Sequence, residues 1–69
     1  MPDAKTVGAR LRKLREERNM TLKELSELTG ITTISLADYE AGQRKPNDEK
    51  KFILAQCLGA SVDSIFFDD

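Results

Sequence analysis

Apolar positions fall along this chain in short stripes of helical period, each bounded by residues that start or stop helices. The clearest run is TLKELSELTGITTISLADYEAG, Thr21 to Gly42. Thr21 reads as an N-cap, and Glu24 completes a capping box in which each side chain satisfies a backbone amide. Met20 and Leu25 make a hydrophobic staple. Leu22, Leu25 and Leu28 form a narrow apolar stripe at i, i+3, i+6. Gly30 can take the left-handed conformation that ends such a helix. The same grammar then repeats. Thr32 caps a second helix, Ile31 can staple to Leu36, Leu36 and Tyr39 mark its buried side, and Gly42 stops it. Two capped helices about a glycine turn, over about 21–42, make a helix-turn-helix. Periodicity alone fits any helical hairpin in a small bundle equally well.

The flanks continue the helical pattern. Residues 1–5 read as a loose arm. Thr6 is the expected cap of a first helix over about 6–19, with Val7, Leu11 and Leu14 on one face. Arg10, Arg12, Lys13 and Arg18 fall elsewhere, mostly toward solvent. After Gly42 the segment QRKPND is a loop, since Pro46 disfavours helix at Lys45. Asn47 can cap a fourth helix running to about Leu58, with Asp48 and Glu49 well placed in its first turn. Leu54, Ala55 and Leu58 are its buried set, and Gly59 ends it. Ser61 then caps a last short helix, Val62 to about Phe67, which returns Ile65 and Phe66 to the core. No internal repeat, low-complexity segment or sustained strand-like alternation interrupts the series.

At 69 residues, 39% hydrophobic and 33% charged, the chain fits one small all-α domain over 1–69, near the lower limit for an unaided core. No run approaches a membrane span, and no signal-peptide pattern opens it. One cysteine and no histidine exclude an internal disulfide and a zinc pattern, so a reducing, cytoplasmic setting is the default. Cys57 reads as a small core or near-surface residue. The net charge is −1, but its distribution is uneven. Basic residues cluster before the helix-turn-helix and just after it, at Arg44, Lys45, Lys50 and Lys51. The helix-turn-helix itself sets Lys23 against Glu24, Glu27, Asp38 and Glu40, and the end, Asp68 and Asp69, is acidic.

With these elements in order, the chain resembles the Cro/CI-type (XRE-like, lambda-repressor-like) helix-turn-helix DNA-binding domains, from about Val7 to Phe67. The resemblance is carried by Gly8 with LRKLREERNM, then TLKELSELTGIT, LADYEAGQRKP and LAQCLGASVDSIF. Its most specific element is the E-x-G-x-x-x-P run of Glu40, Gly42 and Pro46. The resemblance implies a compact five-helix fold with the helix-turn-helix at the second and third helices. It further implies a sequence-specific transcriptional regulator, a repressor, acting as a homodimer on double-stranded DNA. Such proteins often come from phages or mobile elements.

By the same resemblance the helix starting at Thr33 lies in the major groove. Thr33, Ile34, Ser35 and Asp38 then read bases, while Thr21, Lys23, Thr32, Gln43, Arg44 and Lys45 meet the backbone. Arg15 and Glu40 match a structural ion pair of the family. The chain also departs from the family pattern. Leu22 replaces a frequent Gln, and Ser26 replaces a small Ala. Asp38 puts a carboxylate where phosphates approach, opposing counterion release, although it can accept from a cytosine amino group. Lys51 falls where an aliphatic residue is commonly buried, so Phe52 is expected to rotate in. Phe66 and Phe67 form a candidate dimer patch, because so small a domain cannot easily bury two consecutive aromatics.

An enzyme reading lacks a histidine, a nucleophile elbow, a phosphate-cradling glycine loop and a close carboxylate pair in an evident pocket. No cofactor, metal or small-molecule ligand is implied. The alternative function is a helix-turn-helix fold turned to a protein partner, as an antirepressor or antitoxin-like module. The acidic centre and end favour that alternative; the basic loop and Lys23 favour DNA.

Overall fold

Four helix starts are written in capping side chains, and the computed structural model, which describes residues 1–69, places a helix after each of them. The helices are α1 (Ala4–Glu17), α2 (Leu22–Thr29), α3 (Thr33–Glu40) and α4 (Asp48–Leu58); α5 (Asp63–Phe67) is a single π-type turn. Asp3, Thr21, Thr32 and Asn47 each accept a hydrogen bond from the amide three residues on. Gly30 and Gly59 end α2 and α4 in the left-handed conformation, and Gly42 does the same just after α3. No helix is long and apolar enough to cross a membrane.

The first helix differs from expectation at both ends. Its cap is Asp3 rather than Thr6, because the Asp3 carboxylate takes the Thr6 amide at 2.8 Å and draws Thr6 into the first turn. The expected loose arm is correspondingly short, and Pro2 is buried. At the other end, α1 stops at Glu17 and Asn19 turns the chain with φ 54, a left-handed conformation that Asn tolerates. The hydrogen bond from the Thr6 backbone holds the Asp3 carboxyl below its ordinary range, helped by Lys45 and Lys5. A carboxylate with a lowered folded pKa contributes stability above its unfolded pKa and loses it as pH falls through the folded one. Asp3→Ala is therefore expected to melt below the wild type at neutral pH. Thermal melts should show the gap closing as pH drops through and beneath the ordinary carboxylate range; a gap independent of pH would remove the ionic cap.

The core draws on every helix: Val7 and Leu11 from α1, Leu25, Leu36 and Tyr39 from α2 and α3, Leu54, Ala55 and Leu58 from α4, and Ile65 and Phe66 from α5, with Ile31 from the turn. Leu28 is not among them and is 63% exposed. Residues at i, i+3, i+6 drift backward around a helix, so three of them span about 120°. Only the middle one, Leu25, faces straight inward, with Leu22 half-buried beside it. Phe52 is likewise 60% exposed instead of rotating inward. Lys51 serves the site itself: its stem is mostly covered, while its ammonium lies 3.6 Å from Asp48 Oδ1 and 5.0 Å from the Phe67 ring centroid. A long cationic side chain can thus cover apolar surface and keep its charge in water.

Two contacts lock the ends of this arrangement. α1 crosses α3 at Gly8, where a Cβ would run into the carbonyl oxygens of Tyr39 and Glu40. Arg10, expected in solvent, instead ties down α5: its Nη1 donates to the carbonyls of Ser64 and Ile65 at 3.2 Å and of Asp68 at 2.7 Å. Ser61 caps the same turn by accepting from the Ser64 amide at 3.1 Å.

Candidate nucleic-acid interface

The approach of α2 to α3 is set by their connecting turn. The capping box is closed: Thr21 Oγ1 accepts from the Glu24 amide at 3.1 Å, and Glu24 Oε1 accepts from the Thr21 amide at 2.9 Å. Helix geometry leaves the Leu22 and Lys23 amides without an intrahelical acceptor. The Glu24 carboxylate is the group they share that end with. Thr29 organises the turn, donating from its hydroxyl to the Leu25 carbonyl at 2.8 Å and accepting from the Ile31 amide at 3.1 Å. Its role escaped the sequence pattern, where a Thr before Gly-Ile carries no distinct signal. Ile31 then plugs into the core, which aims the start of α3 outward.

Arg15 and Glu40 come together across α1 and α3. Nε and Nη2 donate to the two carboxylate oxygens at 2.7 and 3.0 Å, and Nη1 donates to the Met20 carbonyl at 2.7 Å. Both side chains are nearly enclosed, 13% and 10% exposed. The Glu40 hydrogen bonds raise the Arg15 pKa further, against the opposing effect of burial. One guanidinium thereby joins the end of α1, the chain entering α2 and the end of α3.

The outer face of α3 begins with Thr32, Thr33 and Ile34, all exposed, Ile34 at 75%. Lys23, Gln43 and Lys45 are exposed as well. Ser35 and Asp38 are half-buried on the same helix and share one partner. Arg44 folds back from the loop so that its Nε donates to Asp38 Oδ2 at 3.1 Å and its Nη2 to Ser35 Oγ at 2.6 Å. The guanidinium also stands 5.6 Å from the centroid of the Tyr39 ring. Asp38, which from sequence would repel phosphate, is thus paired with a cation. That pairing was hidden because its members are separated by the end of a helix, where periodicity stops informing. Phe66 lies in the core at 3% exposure, so it cannot belong to a dimer patch; Phe67, at 39%, stays at the surface.

Residues 11–65 match the family described as Helix-turn-helix, HTH_3. Among curated sequences, the chain is 43% identical over 56 residues to YobD of Bacillus subtilis (strain 168), named an uncharacterized HTH-type transcriptional regulator, covering 81% of this chain and 50% of that protein. A like-named regulator of Mycobacterium tuberculosis, Rv0023, is 43% identical over 42 residues, which are 61% of this chain and 16% of that protein. The chain therefore spans about half the length of the first relative and less of the second. Of solved structures, the restriction-modification controller protein C.AhdI from Aeromonas hydrophila superposes with a TM-score of 0.85 at 27% identity, over 91% of this chain and 96% of that one. The clp gene regulator ClgR from C. glutamicum superposes with a TM-score of 0.81 at 31% identity, over 90% and 80% of the two chains.

Proposed function

Because the chain belongs to the helix-turn-helix family HTH_3, we propose that it is a DNA-binding transcriptional regulator, a repressor, that reads an operator in the major groove with α3. The observation that carries this reading is the exposed start of α3 with a cation folded back onto it. Thr33 can donate to or accept from a base edge, and Ile34 can meet a thymine methyl. Ser35 and Asp38 share that face through Arg44. Thr21, Lys23, Thr32, Gln43 and Lys45 are exposed around it, suited to phosphate contacts that set register without reading sequence. The relatives named as transcriptional regulators support the same reading.

The proposal includes a second copy of the chain. A helix of this length spans only a few base pairs, and two-fold dimers on paired half-sites are how such motifs gain affinity. Phe67 is the member of the aromatic pair that could contribute to that contact. The test is selection from a pool of random duplexes, followed by sedimentation of the complex. A two-fold-symmetric site occupied by two copies is the expected result. Arg44→Ala should weaken binding and flatten the dependence of log affinity on log salt by about one unit, as loss of one cation contact requires. An unenriched pool would overturn the reading and favour the protein-partner alternative, for which the exposed Ile34 and Leu28 are the apolar surface.

A further inference from the structure

We infer that Asp38 and Ser35 act on DNA through Arg44, as positioning residues that hold its guanidinium over α3 for a pair of adjacent acceptors. This deepens the DNA reading above and rests on it. α3 has no Lys or Arg of its own, so Arg44 supplies the cation of the reading face. One edge of its guanidinium, Nε and Nη2, is spent on Asp38 and Ser35. The backbone is anchored too: the Gln43 and Arg44 amides donate to the Asp38 carbonyl at 2.8 and 3.4 Å. The Tyr39 ring, itself only 3% exposed, backs the group.

A guanidinium carries five N–H donors in a rigid fork. With Nε and one Nη2 hydrogen committed, the end formed by Nη1 and the second Nη2 hydrogen remains as a complete two-pronged donor. That fork matches two acceptors side by side, the O6 and N7 of a guanine or two oxygens of a phosphate. Holding it in place beforehand spares the ordering that binding would otherwise cost a long side chain. The same pairing cancels the carboxylate that would repel the backbone. An exposed ion pair of this kind adds little to folding, so its effect belongs in recognition.

The experiment takes the selected duplex and replaces single guanines with 7-deazaguanine, and single phosphates with methylphosphonate. Affinities are read by fluorescence anisotropy for the wild type, Arg44→Ala, Asp38→Ala and Asp38→Asn. One substitution is expected to weaken the wild type by about tenfold, the scale of a bidentate contact, and its type identifies guanine or phosphate as the acceptor. Arg44→Ala and Asp38→Ala should both be nearly indifferent to that substitution, and Asp38→Asn, which keeps an oxygen for Nε, should regain part of the sensitivity. If Asp38→Ala stays as sensitive as the wild type, or if the wild type ignores every substitution, the positioning role is overturned while DNA binding stands. A wild type that prefers no duplex overturns the DNA reading and this inference together.

Discussion

Gly8→Ala is expected to be among the most damaging single-methyl changes in the molecule. At this crossing the added Cβ would meet the backbone carbonyl oxygens of Tyr39 and Glu40. Neither can rotate aside as a side chain would, so α1 and α3 must separate. Overpacking of this kind costs about 1–3 kcal/mol where neighbours can yield, and more where they cannot. A chain of 69 residues has a total stability on the order of 3–10 kcal/mol. A loss of about 3 kcal/mol lowers the melting temperature of so small a domain by more than about ten degrees. A thermal melt followed by circular dichroism checks this, with Gly30→Ala as the comparison. Nothing lies within 4 Å of a Cβ at Gly30, whose φ of +74 carries only the strain of left-handed backbone, about 1–2 kcal/mol. Equal losses at the two glycines would show that the crossing relaxes, and that α3 is not held at the distance described.

Glu40→Ala is expected to be comparably costly for an electrostatic reason. It strands the Arg15 guanidinium, only 13% exposed, without its carboxylate. Breaking one half of a buried pair costs about 3–5 kcal/mol, chiefly because the remaining charge is uncompensated. The pair as a whole need not stabilise the fold. Replacing both members, Arg15→Met with Glu40→Leu, should recover most of the loss, since apolar side chains of similar size remove the stranded charge. The Met20 carbonyl, which accepts from Arg15 Nη1 at 2.7 Å, would then lose its donor, so recovery should stop short of the wild type. Urea midpoints of the two variants decide the matter: a Glu40→Ala protein within about 1 kcal/mol of wild type would reduce the pair to a surface contact. Because Arg15 also holds the entry to α2, partial unfolding of Glu40→Ala should loosen α2 and α3 together.

Much of this architecture could be read locally. Thr21 with Glu24, Thr32 and Asn47 announce helix starts through chemistry that acts within three residues, and the helices begin after them. Gly30 and Gly59 announce helix ends for the same reason. The first helix starts earlier than expected because two residues three apart, Asp3 and Thr6, are both competent caps. N-cap preference places Asp above Thr, and the structure follows it by committing the Asp3 carboxylate to the Thr6 amide. Leu28 and Phe52 stay outside the core for another reason. A short helix shows the core only one narrow face, and hydrophobicity alone does not say which apolar residue faces it.

The interface divides in the same way. That α3 is short, capped by Thr32, and carries Thr33, Ile34 and Ser35 in its first turn and Asp38 in its second is a property of the sequence. Its helical period and capping energies are local and need no partner. What only the tertiary structure decided is the company those residues keep. Arg44 reaches back past the end of the helix to Asp38 and Ser35, Arg10 ties down the carbonyls of α5, and Gly8 lets two backbones touch. The first of these contacts needs only the turn that follows α3, which helical period does not describe; the other two join groups far apart along the chain, so they exist only once packing has brought the helices together. Local hydrogen bonding thus settled where the helices lie, and packing settled which charges remain free to act.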